Sequence, residues 1–271
     1  MFYIPTLTIA GSDCSGGAGI EADIKTMSAL GCYAAAAITS VTVQNTCGVT
    51  AIQDIRPDIV YGQICDVMSD IRPKAVKVGM VSDCAVIDAV ADALDAFRAG
   101  IVIVDPVMVS TSGDRLMRDN ALETFRKRLI PSATLLTPNI PEAEVLAGMS
   151  ICNPADFDAA AEKILQYGCG AVLIKGGHED GPEKIDRLYS AGVRPVLLRS
   201  ESVMTKNTHG TGCTLSSAIT AYMARGLDIR RAVEKSKRYV TRALVAGSNV
   251  YVGEGNGPVN HFFNPMRLIK I

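Results

Sequence analysis

The stretch "TLTIAGSDCSGGAGIEADIKTMSALG", Thr6 to Gly31, sets a short apolar run against a glycine-rich turn and then an amphipathic segment. Strand, turn and helix in that order are the start of a βαβ unit. The pattern recurs along the chain. Further β-rich apolar runs are "AVKVGM" (75–80), "IVIVDPVM" (101–108), "ATLLTPN" (133–139) and "AVLIKGG" (171–177). Segments of helical period lie between them: in "CAVIDAVADALDAF" (84–97), Val86, Val90, Leu94 and Phe97 share one face and Asp88, Asp92 and Asp95 lie elsewhere. The near-continuous apolarity of the strands predicts an α/β fold with a central, mostly parallel sheet covered on both sides. "DRLYSAGVRPVLLRS" (186–200) reads as an antiparallel hairpin, and two final helices are expected over about 212–225 and 229–247. "ARGLDI" between them supplies a glycine stop and an aspartate cap. With no Pro/Ser/Gly-rich linker and no internal repeat, residues 1–271 read as a single domain.

Composition narrows the function classes. The chain is 48% hydrophobic, enough for a sizeable core. Its 27 basic and 28 acidic side chains give no electrostatic reason for a nucleic-acid or anionic-membrane partner. No apolar run approaches the roughly 18–20 residues of a membrane span. The start "MFYIPTLTIAGSD" lacks a basic leader, so a cytoplasmic location is expected. The eight cysteines include no C-x-x-C, and the closest pair, Cys32 and Cys47, is 15 residues apart. Mostly buried, reduced thiols are therefore expected, and a structural zinc site is not.

In a sheet of this kind ligands bind beyond the carboxyl ends of the parallel strands. That directs attention to Gly11–Asp13, Gln44–Asn45, Gly79–Met80, Asp105–Met108, Asn139–Glu142 and Gly176–His178. The first glycine cluster, "GSDCSGGAGIEAD" (11–23), contains G-x-G-x-x-A from Gly17 to Ala22. A dinucleotide fold also wants a carboxylate at the end of the second strand, and "AAAAITSVTVQN" ends instead in Thr42, Gln44 and Asn45. No G-K-[ST] follows the glycines, so a Walker A loop is absent. A tight turn without chemistry also fits.

The second cluster, "NTHGTGCTLSSA" (207–218), meets the start of an apolar helix, where free N–H groups and the helix dipole form an anion site. Gly210 and Gly212 allow close approach of a phosphate, and Thr211 and Thr214 offer hydroxyls; a plain helix cap fits as well. In "TPNIPEAEVL" (137–146), Asn139 and Glu142 stand three apart. That spacing suits either a hydrated Mg2+ or a capping box. Asp105 at the tip of "IVIVD" is a ligand candidate or a neighbour's cap.

Taken together, these motifs, with "AITSVTVQNTCGV", "KVGM", "DPVM", "VLIKGGH" and the tail "GNGPVNHFF", resemble the hydroxymethylpyrimidine/phosphomethylpyrimidine kinase family of thiamine synthesis, within the ribokinase-like superfamily. The resemblance spans nearly the whole chain; one departure is Cys14, where many members carry proline. It implies a three-layer α/β/α fold, a homodimer, ATP as co-substrate and Mg2+ as cofactor. It further implies phosphorylation of 4-amino-5-hydroxymethyl-2-methylpyrimidine and then of its monophosphate. Gln44 would read the aminopyrimidine edge as glutamine reads adenine. Asp23 would be a second polar contact, and Gly11, Met80 and Val107 would wall the pocket. Lys175 would meet ATP phosphates, Asp105 and Glu142 with Asn139 nearby would handle Mg2+, and Gly210–Cys213 would cradle the transferring phosphate. Lys206, Thr208, Thr211 and Lys237 are further nucleotide candidates, and "MVSTSGDRLMRDN" (108–120) a mobile flap that excludes water.

Cys213, at a helix N-terminus, is expected to have a depressed pKa and to deprotonate the substrate hydroxyl. The rival role for it is to offer only its backbone N–H. A pyridoxal kinase of the same superfamily is the nearest alternative activity. A nucleotide-binding regulatory protein without turnover is a more distant one.

Overall fold

The computed structural model describes residues 1–110, 112–177 and 181–271. Thr111, in the expected flap, and His178, at an expected strand end, lie outside the described residues. The strands are β1 (Pro5–Asp13), β2 (Tyr33–Asn45), β3 (Gly48–Asp54), β4 (Ala75–Val78), β5 (Val102–Val104), β6 (Leu135–Leu136), β7 (Ala171–Ile174), β8 (Glu183–Ser190) and β9 (Val193–Glu201). The helices are α1 (Gly19–Ala29), α2 (Pro57–Asp70), α3 (Cys84–Ala96), α4 (Ala121–Thr124), α5 (Ile140–Ala147), α6 (Pro154–Leu165), α7 (Thr211–Ala224) and α8 (Ile229–Gly247).

All nine strands form one sheet in the order β3-β2-β1-β4-β5-β6-β7-β8-β9. The interior pairs from β2 through β7 are parallel; β3 at one edge and β8 and β9 at the other are antiparallel. The expected hairpin is β8–β9. The β2–β3 hairpin has no counterpart in the sequence reading, because β3, "GVTAIQD", carries little apolar pattern and is mostly exposed.

Alternate strand residues feed two cores, which is why the strands read as unbroken apolar runs. Val102 and Val104 of β5 point into one core with Val86, Val90 and Leu94 of α3, while Ile103 points into the other with Leu215 and Ile219 of α7. Each fully buried side chain of this kind contributes about 1.5–3 kcal/mol. Helices α2, α3, α5 and α6 cover one face, and α1, α7 and α8 the other. This is the three-layer α/β/α sandwich. Phe97, assigned to the apolar face of α3, instead follows its last turn and is partly exposed. The two final helices fall where expected, and Asp228 caps α8 by accepting from the Arg231 N–H at 2.9 Å.

The chain winds outward from β1 in two directions, to β2 on one side and to β4 on the other. That change of direction opens a crevice beyond the strand ends. All eight cysteines are free. Cys14, Cys47 and Cys152 are exposed, so the expectation of mostly buried thiols holds only for part of the set. No helix among the described residues is long and apolar enough to cross a membrane.

Candidate active site

A cleft of about 560 Å³ runs along the carboxyl ends of the parallel strands. At one end it is lined by Gly11 of β1, Gln44 of β2, and Met80 and Val107 beyond β4 and β5. A Cβ at position 11 would come within 2.9 Å of Met80 Sδ, so any larger residue there would displace the methionine that lines the slot. A flat, mostly apolar slot with one amide on its wall results.

The middle of the cleft is charged. Lys175, just past β7, places Nζ 2.9 Å from Asp105 Oδ1 and 3.8 Å from Glu142 Oε2. Asp105 is further held by the hydroxyls of Thr137 and Ser216, both at 3.1 Å. Burial alone would raise its carboxyl, but the ammonium groups of Lys175 and Lys77 outweigh that and hold it below the usual range. Glu142 sits in a capping box: Asn139 Oδ1 accepts the Glu142 N–H and Glu142 Oε2 accepts the Asn139 N–H, both at 2.8 Å. Burial pushes the Glu142 carboxyl up to about 7; Lys175 pulls it down and Asp105 pushes it further up. The N-x-x-E pair is therefore a helix cap that also turns a carboxylate into the cleft.

Helix α7 aims its N-terminus at these charges. Gly210, the N-cap, has φ of 77° and lies against the Gly17 carbonyl, a position that no side chain could share. The first intrahelical bond runs from Thr214 N–H to Gly210 O at 2.8 Å. The Gly212 and Cys213 N–H groups ahead of it have no acceptor among the described residues. A Cβ on Gly212 would lie 3.5 Å from Lys175 Nζ and 3.6 Å from Asp105 Oδ2, so the free N–H groups, the ammonium and the carboxylate face one space. Thr211 lines it too; Thr214, named with it as a hydroxyl donor, is buried and donates to Gly210 O. Thr208 and Lys237 also line the cleft, the latter held by Asp186 at 2.8 Å.

Two candidates lie elsewhere. Lys206 is exposed and does not line the cleft. Asp23 is fully buried, and its oxygens accept from Lys77 Nζ at 2.8 and 2.7 Å and from the Thr8 and Ser217 hydroxyls. It reaches the cleft only through Lys77, which does line it. The substrate contact expected of Asp23 is thus replaced by a buried ion pair.

Cys213 also departs from expectation. Although the residue is half-buried, protein packs closely round its sulfur, and that burial pushes the thiol up to about 11. Lys77 pulls it down, but Asp23 and Asp105 push it up. Desolvation and two carboxylates outweigh Lys77, so the unliganded protein holds a thiol at neutral pH.

Three cleft residues were given no role in the sequence reading, although Asp13 closes the strand end Gly11–Asp13 named there. Lys77 is a cation in the middle of an otherwise apolar buried strand, a signal visible in "AVKVGM". His209 and Asp13 face each other at 2.8 Å, although 196 residues separate them. Asp13 also accepts from the Ser15, Gly17 and Ala18 N–H groups. The glycine turn thereby spends on its own carboxylate the donors a dinucleotide would need. Desolvation would raise the Asp13 carboxyl, but these bonds, His209's first, hold it well below the usual range. Of the described residues in 108–120, Ser110 donates its N–H to Asp114 O, and the Asp114 carboxylate accepts the Val49 N–H of β3 at 3.1 Å.

Residues 13–260 match the model of a family described as phosphomethylpyrimidine kinase. A hydroxymethylpyrimidine/phosphomethylpyrimidine kinase of Rhizobium meliloti is 48% identical over 94% of this chain and 96% of its own length. The thiamine biosynthesis bifunctional protein ThiED of Geobacter sulfurreducens is 43% identical over 94% of this chain, which spans 51% of that relative. Among solved structures, an ADP complex of Bacillus subtilis pyridoxal kinase superposes with a TM-score of 0.87 at 32% identity, covering 96% of this chain and 98% of the other.

Proposed function

The chain belongs to the phosphomethylpyrimidine kinase family, and on that premise we propose how its cleft phosphorylates 4-amino-5-hydroxymethyl-2-methylpyrimidine and then the monophosphate, in thiamine synthesis. The observation that carries the proposal is the single space faced by Lys175, Asp105 and the free N–H groups of Gly212 and Cys213. Phosphoryl transfer asks mainly for positioning and for neutralising charge on the transferring group. A helix N-terminus with an ammonium beside it supplies both.

The pyrimidine lies in the slot of Gly11, Met80 and Val107 with its amino edge on the Gln44 amide, which directs its hydroxymethyl group toward α7. The γ-phosphate rests on Gly210–Cys213, and Lys175 meets it as a point charge. Thr208, Thr211, Asn139 and Lys237 face the rest of the ATP. Two carboxylates beside a phosphate site suit Mg2+, which keeps most of its waters and binds through one or two carboxylates plus phosphate oxygens. Asp105 and Glu142 would hold the ion, which would supply neutralising charge to the phosphates. The thiolate form of Cys213, which the Lys77 ammonium favours, takes the hydroxyl proton and becomes the neutral thiol.

A cytoplasmic location accords with eight free thiols, and we read the chain as one kinase domain acting as a homodimer. The exposed Val41 and Val43 of β2 and Ile52 of β3 supply apolar surface for that contact. The test is ATP consumption with the hydroxymethylpyrimidine, its monophosphate and pyridoxal side by side. Turnover of both pyrimidines is expected; turnover of pyridoxal alone would refute the assignment.

A further inference from the structure

Asp13 is saturated with donors. The Ser15 N–H and hydroxyl reach Oδ1 at 2.9 and 2.7 Å, and the Gly17 and Ala18 N–H groups reach Oδ2 at 3.1 and 2.8 Å. His209 Nε2 also stands 2.8 Å from Oδ2. A carboxylate only accepts, so His209 Nε2 carries a hydrogen. That same Nε2 lies 3.4 Å from one end of the Gln44 amide, and the amide nitrogen at that end would set donor against donor. The other end, where the oxygen would then stand, lies 3.2 Å from Thr42 Oγ1. The single Thr42 hydroxyl proton is directed to the Ser12 carbonyl at 2.8 Å, which sets acceptor against acceptor.

One half-turn of the amide resolves both conflicts, since its nitrogen and oxygen occupy interchangeable positions and the surrounding network decides between them. The oxygen then takes the longer, 3.4 Å arm of a hydrogen bond that the His209 N–H shares with Asp13, and the nitrogen donates to Thr42 Oγ1. One lone pair and one N–H remain for the cleft. The imidazole cannot drift: a Cβ on Gly17 would collide with its Cδ2, and its own backbone N–H donates to Gly257 O at 3.0 Å.

We propose that His209, oriented by Asp13, is a positioning residue that holds the Gln44 amide in one sense and so makes the site read a 4-aminopyrimidine and reject its 4-oxo counterpart. With the hydroxymethyl group committed to α7, the ring has one orientation. An amino edge offers a donor beside a ring acceptor; an oxo edge offers an acceptor beside a ring N–H. A fixed amide matches only one of these, whereas a freely turning amide matches both. The proposal rests on Gln44 being the pyrimidine contact.

The test is steady-state kinetics of the full-length enzyme with the aminopyrimidine and its 4-oxo analogue. Loss of the donor in His209→Leu should raise KM for the aminopyrimidine about tenfold. The amino-to-oxo ratio of kcat/KM should fall about tenfold or more, within the discrimination a bidentate amide–base pair supplies. His209→Gln, which keeps an N–H near the Nε2 position, should retain the ratio within about threefold. Thr42→Val, which removes the acceptor at the other end of the amide, should lower the ratio as His209→Leu does. The ratio does not depend on the fraction of folded enzyme, and an unchanged KM for ATP reports an intact cradle. An unchanged ratio in His209→Leu or Thr42→Val, or a loss in His209→Gln equal to that in His209→Leu, would overturn the proposal. Failure of the unmodified enzyme to turn over the aminopyrimidine would instead overturn the parent reading.

Discussion

Replacing Lys77 with methionine keeps the length of the stem and removes the charge. Both side chains of the Lys77–Asp23 pair are wholly shielded from solvent. The ammonium bonds both carboxylate oxygens, and the Thr8 and Ser217 hydroxyls complete the carboxylate's shell. Burial would lower the Lys77 pKa, but Asp23 first, then Cys213 and Asp105, raise it above its ordinary value, so the lysine is charged. Removing one partner leaves the other as an uncompensated buried charge, at a cost of about 3–5 kcal/mol. Against a total stability of about 5–15 kcal/mol, that is a large fraction. With a urea slope on the order of 3 kcal/mol per M, the midpoint of unfolding should fall by about 1–1.7 M in Lys77→Met, and similarly in Asp23→Leu. The double variant buries no charge and should lose less than the sum of the two, with a coupling of at least about 2 kcal/mol. Equilibrium urea unfolding of the four proteins measures this directly. Single losses below about 1 kcal/mol, or strict additivity, would refute the account of the pair as a buried, mutually dependent unit.

Gly210→Ala and Gly212→Ala should behave in opposite ways. The first forces a side chain into a left-handed backbone against the Gly17 carbonyl, costing at least about 1–3 kcal/mol in thermal or urea unfolding. The second meets only ordinary contacts in the folded chain yet projects a methyl between Lys175 and Asp105, so stability should hold while kcat falls about 10²-fold or more. With the Cys213 thiol near 11, kcat/KM for the pyrimidine at saturating ATP should climb about tenfold per pH unit above pH 8. Cys213→Ser should flatten that limb, and a flat profile in the unmodified enzyme would remove the sulfur as base. Glu142, raised to about 7, must lose its proton to hold a cation. Apparent Mg2+ affinity, from titrations of ATP turnover, should therefore weaken about fivefold from pH 7 to 6 and level off above 8; Glu142→Gln should abolish the dependence.

What the sequence determined by itself is local or periodic. Apolar runs such as "IVIVDPVM", alternating with helical periods, specify doubly covered parallel strands, because each strand residue has a core to face on one side or the other. Glycines ahead of the apolar run in "HGTGCTLSS" specify an anion-binding helix start, since free N–H groups there follow from helix geometry alone. Gln44, Asp105 and Glu142 were legible because a parallel sheet brings its strand ends together whatever lies between them, whereas Lys175 was singled out only through the family resemblance. Tertiary structure decided the rest, through burial and long-range pairing. The helix N-terminus seen in sequence favours a Cys213 thiolate, but desolvation and two nearby carboxylates raise the thiol, and none of these can be read from spacing. Asp23 looked like a ligand until Lys77, 54 residues away, claimed its carboxylate. His209 and Asp13 meet only because the glycine turn after β1 packs against the loop that opens α7, a contact that depends on the folded chain.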